Sequence, residues 1–540
     1  MQSQSRDPVV MPASQGDMPQ AVPSRLFEAE DPAEEELGGG SERAVYGACS
    51  AETYRAAGSL HAAHRDAGGF LDAVDRFSTP DFWRRDAAVK SWIYSGGAEA
   101  GAQGLDTVRV FYHSGHGSME EDGQFRLPMG ALWNGTNAAI SSREMRLGAD
   151  RLRYLFWSAS ESLCLRGGHA PSRTWAEANA GLRMIFGFDT VCWDSDRHGQ
   201  AFWEHWRMGK SFSQSWLDAA SDVSTDQIAS VCAMASTPDE ALERLFGERR
   251  FSATQGDPTW WVWRWTQSLA QHRRDPVTEI PRAARGLRLV HCDDDLETAT
   301  GVLRQLEIDP RTIPLDRPGG LRVTSGGVTF IRSPRGEIVL EFARPSRGNR
   351  GAVSLHRRAL VSRARAALRR HGLLAAGPEL CFDRILLSMS AGVSLGRRPD
   401  CLPQAVDELT IQFRQCFDRI AVVSPETGWV RVVMRPDGTL LRIQSRLRRQ
   451  AGPQGGAEAA HAPDPQPDVS HLLARRSALL LRDLAARGAA PLTLGILPGL
   501  TEIGYGIRSN TARLVARQGV EITCVRGFRK RYWIQSDLGD

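Results

Sequence analysis

A chain of 540 residues with 41% hydrophobic and 24% charged positions is too long for one ordinary core, and its composition is that of a soluble globular protein of two or three domains. Its 67 basic and 63 acidic residues leave a net charge of +4, too small a surplus to predict nucleic-acid binding, and the excess of Arg over Lys reads first as codon bias in a GC-rich genome. The nine cysteines are odd in number, irregularly spaced and without a CxxC pair, which excludes a disulfide-stapled secreted fold. With no apolar leader and no run of ~18 apolar residues, no membrane segment is expected and the cytoplasm is the default location.

Residues 1–43, rich in Pro, Gly, Ser, Gln and acids, predict a disordered tail. Residues 44–280 predict the main domain. Within it Thr107–Tyr112, Leu152–Trp157 and Arg183–Phe188 are expected strands, with helices over Thr174–Ala180, His198–Trp206 and 212–221. Strands alternating with helices in this order predict an α/β parallel sheet covered on both faces, with any site outside the carboxyl ends of the strands. Trp261, Trp263 and Trp265 alternate along one strand and suit core packing or a domain interface; a base-stacking platform is the alternative.

Residues 285–450 change character and predict an α+β accessory or regulatory domain. Helices are expected near 294–306 and 354–371, and a hairpin with Asp437-Gly438 at its turn closes the region. Residues 451–467 read as a linker of Ala, Gly, Pro, Gln and acids. Residues 471–540 predict a small C-terminal domain that opens with an amphipathic helix, His471 to Arg487, and continues in short strands without a functional motif.

The motif that carries chemistry is Tyr112-His113-Ser114-Gly115-His116-Gly117. A histidine just beyond a buried strand, with glycine on both sides, sits on a tight turn where its ring can face a crevice. The Gly117 N–H is then free to donate to a developing oxyanion. A hairpin-like segment, Glu121 to Leu127, follows. Ser141 then caps a short helix, and the second strand runs into Ser158-Ala159-Ser160-Glu161-Ser162-Leu163. His113 is read as a polar residue satisfied at the strand end; a metal pair with His116 is the sharper alternative, but His-x-x-His across a glycine turn is not a reliable zinc spacing. No metal or other cofactor is therefore expected.

A strand ending in His-Gly, then a helix, then a strand ending in small residues followed by x-Ser-Leu resembles the caspase-like cysteine peptidases of clan CD, the group of caspases, gingipains, legumains, separases and CHAT peptidases. The likeness spans about 120–150 of the 540 residues and is carried by these motifs. It implies a caspase-haemoglobinase α/β sheet with flanking helices, and a bacterial, cytoplasmic endopeptidase acting on a protein or peptide substrate. His116 would be the general base and position 160 the nucleophile, with Gly117 lining the oxyanion hole. In this family the segment after the third strand helps form the pocket for the side chain before the scissile bond. Asp194 and Asp196 would then hold an Arg or Lys, and Glu161 joins them as a substrate-binding candidate; helix capping by Ser195 or Asp196 is the alternative reading of that acidic segment. The accessory region resembles small helix-plus-sheet modules that inhibit or dock on bacterial peptidases.

The chain departs from the family at the nucleophile, where Ser160 stands in place of cysteine. A neighbouring imidazole readily yields a thiolate, whereas a serine hydroxyl is far less acidic, so this chain is expected to be slow or inactive. Ser160 is consistent with a change introduced to silence the centre, with a natural pseudoprotease that binds or scaffolds peptides, with a serine nucleophile, or with a nucleophile elsewhere. Cys164 is the candidate in the last case, and a buried free thiol is its plainer reading. The N-terminal tail and the 451–467 linker are candidate self-cleavage sites.

Overall fold

The computed structural model describes residues 45–54, 57–96, 104–130, 139–269, 280, 286–291, 296–315, 320–343, 356–374, 379–451, 468–487, 492–524 and 526–538. The expected tail at 1–43 and nearly all of the 451–467 linker, with their candidate self-cleavage sites, lie outside the described residues.

The chain is a mixed α/β structure built on one large sheet. Strands β1 (Tyr46–Ser50), β2 (Phe82–Arg85), β3 (Val110–Ser114), β4 (Tyr154–Ser158) and β5 (Met184–Phe188) run parallel in the order β2-β1-β3-β4-β5. Two antiparallel strands follow, β6 (Ala229–Ala235) and β7 (Trp260–Ser268). The strands from 107, 152 and 183 begin one to three residues later than their sequence pattern suggests. Leu105–Thr107 forms a 3-10 turn that delays β3, with the Thr107 hydroxyl donating to the Gly104 carbonyl.

Successive residues of β3 point to opposite faces, as the two-residue period of a strand requires. Tyr112 lies on the side of helices α1 (Ala63–Val74), α2 (His198–Arg207) and α3 (Phe212–Val223), packed with Phe70, Phe156, Phe186, Trp203 and Trp216. Phe111 lies on the other side with Leu155, Trp157, Trp175 and Trp261. Both faces are therefore dry, and the central strands read as nearly continuous apolar runs. The helix expected over Thr174–Ala180 is displaced to Pro171–Trp175. Pro171 starts it, and it cannot extend because the Asn179 side chain accepts from the N–H groups of Gly181 and Leu182.

Beyond α4 (Pro238–Gly247), β7 carries the sheet into the second half of the chain by pairing with β11 (Glu379–Ser394). The order continues through β12 (Cys401–Phe417), β13 (Trp429–Met434), β14 (Leu440–Ser445) and β10 (Ile338–Phe342) to β9 (Val328–Arg332) and β8 (Leu321–Ser325). The tryptophan-rich strand thus lies in the middle of the sheet, with Trp261 fully buried, Trp265 nearly so and Trp263 partly covered. The β13–β14 hairpin turns at Asp437-Gly438 with Gly438 at φ +88°. Helices α5 (Leu296–Gln305) and α6 (Arg357–Arg370) pack into the core of this half.

Helix α7 (Val469–Arg487) is followed by a separate antiparallel meander of β15 (Leu492–Arg508), β16 (Thr511–Cys524) and β17 (Arg529–Asp537). Its core is continuous with Tyr54, Ala57 and Leu60, which come from the loop after β1. The C-terminal meander therefore sits on the carboxyl edge of the parallel strands, where the sequence places its motif.

Candidate functional site

β3 and β4 are neighbours in register, with Ser114 opposite Ser158, so their carboxyl ends deliver His116 and Ser160 to one place. Both residues are buried. The glycines around His116 are set by close approach. A Cβ on Gly115 would lie 2.7 Å from the Tyr54 hydroxyl, and one on Gly117 would lie 2.6 Å from the Phe125 ring and 2.9 Å from the Ser160 carbonyl. Phe125 belongs to the hairpin that follows, Ser118–Met119 paired with Phe125–Pro128. The expected cap at Ser141 is present as a capping box with Glu144, on the 3-10 turn Ser142–Glu144.

The His116 ring is oriented by the main chain. Its Nε2 donates to the Gly58 carbonyl at 2.8 Å, which leaves Nδ1 unprotonated, buried and without a hydrogen-bond partner among the described residues. The His116 N–H donates to the Tyr54 hydroxyl at 3.1 Å. Burial, reinforced by the Lys530 ammonium, lowers the imidazole pKa to about 3 against the pull of the Gly58 and Arg529 carbonyls, so the ring is neutral. Ser160 Oγ accepts from the Cys192 N–H at 3.2 Å and donates to the carbonyl of Arg529 at 3.0 Å. No hydrogen bond joins His116 to Ser160 among the described residues; the Arg529 carbonyl faces both.

Glu161 is held at φ +60°, a backbone region that costs a non-glycine residue about 1 kcal/mol or more. Its carboxylate, nearly buried, takes the Arg529 guanidinium at 2.7 Å and Arg166 at 3.4 Å. Asp194 stands at the rim. Its N–H donates to the Arg531 carbonyl and its carboxylate accepts from the His61 N–H, while burial raises its pKa. Asp196 is not brought into the site; it faces Arg65 at 3.6 Å with both side chains exposed. Neither Ser195 nor Asp196 caps α2. The Gly199 N–H at its start donates instead to Asp66 of α1 at 2.8 Å.

His113 points to the opposite face from Ser114, as β3 alternation dictates, and its Nδ1 meets the Tyr94 hydroxyl at 2.9 Å. Burial lowers its pKa to about 3. Among the described residues no group of three or more His, Cys, Asp or Glu side chains is arranged to hold a metal. Cys164 is a buried free thiol whose pKa burial pushes up to about 11, so it is not a thiolate at neutral pH.

Two features were not visible in the sequence. The first is the approach of the C-terminal meander. Lys530 is buried, with its ammonium 3.0 Å from the Gly115 carbonyl and 3.1 Å from Cys192 Sγ. The second is a Ser50–His64–Asp86 chain at the end of β1, with Ser50 Oγ 2.8 Å from His64 Nδ1 and His64 Nε2 2.8 Å from Asp86. Ser50 is fully buried and its Oγ also accepts from the Trp83 indole N–H, while Asp86 takes the N–H groups of Glu52 and Thr53. This second chain of groups ties β1, α1 and β2 together.

A family model described as a domain of unknown function (DUF6345) matches residues 49–265, the span that carries His116, Ser160 and Glu161. No curated protein matches the chain. A search of solved structures gives the crystal structure of the Arg-specific cysteine proteinase gingipain R, at 11% identity and a TM-score of 0.23. That match covers 55% of this chain and 63% of the other, so the chain spans less than two thirds of that structure.

Proposed function

We propose that the chain is built on a caspase-like peptidase scaffold whose centre, His116 with position 160, engages a protein or peptide substrate. We read residues 44–280 as the peptidase domain, with 285–450 and 471–540 as accessory domains. The observation that carries this reading is a peptide carbonyl, that of Arg529, held on the Ser160 hydroxyl beside a buried neutral imidazole whose Nδ1 lone pair is uncommitted. Gly117 packs against the Ser160 carbonyl and would supply an N–H to a developing oxyanion. With cysteine at 160, His116 would take the thiol proton and the thiolate would attack the carbonyl carbon, the C=O π pair moving to oxygen; as that pair returns the C–N bond would break, His116 would give its proton to the leaving amine, and water would then hydrolyse the thioester. With serine, the hydroxyl donates a hydrogen bond to the carbonyl oxygen, as it does to that of Arg529 at 3.0 Å, and would hold the peptide without cutting it.

That last point favours a pseudoprotease, a peptide-binding or scaffolding module, for the chain as it stands. The test compares the full-length protein with its Ser160→Cys form on a library of short peptides and with a thiol-reactive active-site probe. The Ser160 form is expected to cut nothing. Ser160→Cys, with Arg529→Ala/Lys530→Ala to loosen the strand over position 160, is expected to label at that position and to cleave peptides, and to lose both on adding His116→Ala. If Ser160→Cys neither labels nor cleaves even when Arg529→Ala/Lys530→Ala loosens the strand that covers position 160, the peptidase scaffold is the wrong reading.

A further inference from the structure

We propose that this centre is a cleft for an extended peptide bearing an arginine, that Glu161 selects the arginine, and that the chain's own Phe528–Arg531 is its resident pseudosubstrate. This rests on the peptide-binding reading above and assigns its ligand class.

The resident segment makes the contacts a bound peptide would make. Its main chain pairs with the segment after β5: the Arg531 N–H donates to the Cys192 carbonyl at 3.2 Å, and the Asp194 N–H donates to the Arg531 carbonyl at 2.8 Å. That is strand addition, which recognises backbone without regard to side chains. The Arg529 carbonyl lies on Ser160 Oγ, and its guanidinium meets the Glu161 carboxylate at 2.7 Å. Lys530 is the next residue, and its ammonium is buried over the floor of the cleft on the Gly115 carbonyl and Cys192 Sγ. Two aromatic contacts flank the segment: Phe528 lies 6.1 Å from the His116 ring, and Trp533 stacks on Trp193 at 4.4 Å and 4°.

Selection for arginine follows from Glu161. The residue is strained at φ +60°, nearly buried, and placed one residue beyond Ser160. Asp194 and Asp196 are committed elsewhere, the first to the His61 N–H and the second to surface Arg65. The Glu161 carboxylate keeps Arg166 at 3.4 Å, but the shorter charge-assisted bond, 2.7 Å, is made to Arg529; an uncharged side chain in that place would lose the closer of the two and leave a nearly buried carboxylate underpaired. The resident strand occludes the cleft: Cys192, Ser160 and His116 are all buried beneath it.

The experiment uses the full chain with Ser160 retained, so it does not depend on cleavage. The probe is a fluorescent hexapeptide with the sequence of residues 527–532, alongside a second peptide with alanine at the position of Arg529. The Arg529→Ala/Lys530→Ala protein is expected to bind the first peptide at least tenfold tighter than the unchanged protein. Binding should fall at least tenfold with the alanine peptide, and equally when Glu161→Gln is added. Opening is read separately from iodoacetamide alkylation of Cys192, mapped by mass spectrometry. Alkylation should rise at least tenfold in the double variant and be suppressed by the first peptide. If the double variant does not fold, the near-isosteric Glu161→Gln alone is expected to raise Cys192 alkylation. The proposal is overturned if binding ignores the arginine or Glu161, if an opened Cys192 is accompanied by no binding, or if Cys192 stays protected in the loosened protein. Peptide binding without cleavage by Ser160→Cys would instead leave this proposal standing and remove the peptidase reading.

Discussion

At Gly117 the chain has no room for a side chain, and that constraint comes from packing, not from backbone dihedrals. The residue is not at positive φ, yet a Cβ there would meet the Phe125 ring at 2.6 Å and the Ser160 carbonyl at 2.9 Å. The ring can yield a little, but the Ser160 carbonyl belongs to the main chain just past β4 and cannot. Gly117→Ala is therefore expected to destabilise the fold by about 1–3 kcal/mol, the usual cost of overpacking a dry interior. It should also push Ser160 away from the His116 loop. Urea unfolding measures the first effect, and loss of labelling in a Ser160→Cys background measures the second. An unchanged midpoint would mean that the His116 loop is looser than its contacts indicate. The glycine pattern was legible in the sequence because a tight turn beside a histidine is a local signal. Glu161 was legible only as a neighbour of position 160, since its closer guanidinium partner, Arg529, lies 368 residues away.

At the scale of elements, a buried ionic network joins α3 to the β13–β14 hairpin. Asp222 takes Arg431 at 3.1 Å, Arg446 at 3.0 Å and His205 at 2.9 Å, and Arg446 goes on to Glu337 at 2.7 Å. The arginines hold the Asp222 and Glu337 carboxyls below their ordinary range despite burial. Replacing Asp222 by alanine leaves two buried guanidinium groups short of a partner, and a loss of about 3–5 kcal/mol is expected in urea unfolding. A loss under 1 kcal/mol would mean that solvent reaches the network and that the two halves of the sheet are not joined through it. Parallel strands, the hairpin and most helices were readable from periodicity, because each buries a face of its own. The pairing of β7 with β11 was not. Trp261, Trp263 and Trp265 announce a buried strand but carry no information about their partners Val393, Ala391 and Met389 in β11, more than 100 residues later. The same holds for β17: a basic stretch at the end of the chain gives no sign that Lys530 is buried 3.0 Å from the Gly115 carbonyl.

For the whole molecule, these buried groups set a direction for its response to acid. Burial is the main cause that lowers His113 and His116 to about 3 and His198 to about 4, and the Lys530 ammonium pushes each the same way. In the unfolded chain these rings titrate near ~6.5. Between those values the unfolded state binds more protons than the folded one, so folding stability is fully present above pH ~6.5 and falls as the pH drops. Each histidine contributes a slope of about 1.4 kcal/mol per pH unit at most, and the fall levels off as the pH passes below the folded values. The lowered carboxyls of Asp222 and Glu337 act the same way only below their unfolded range near ~4. The window from pH 6.5 to 5 lies above the range of those two carboxyls, so the histidines act there, joined by Asp194 of the cleft, whose pKa burial raises. His116 is faced there by the Tyr54 hydroxyl, the Gly58 and Arg529 carbonyls and Lys530, and among the described residues no carboxylate is bonded to it to stabilise an imidazolium. Protonation at the base of the cleft would place a second positive charge beside Lys530, and β17 is the element that carries that charge. Amide exchange at residues 529–531 is accordingly expected to accelerate between pH 6.5 and 5, ahead of exchange in β3 and β4. Substitution of Lys530 by methionine should weaken the acceleration by removing the opposing charge. Exchange that is flat across this window, or equal in β17 and β4, would show that the strand over the cleft is no less stable than the sheet beneath it.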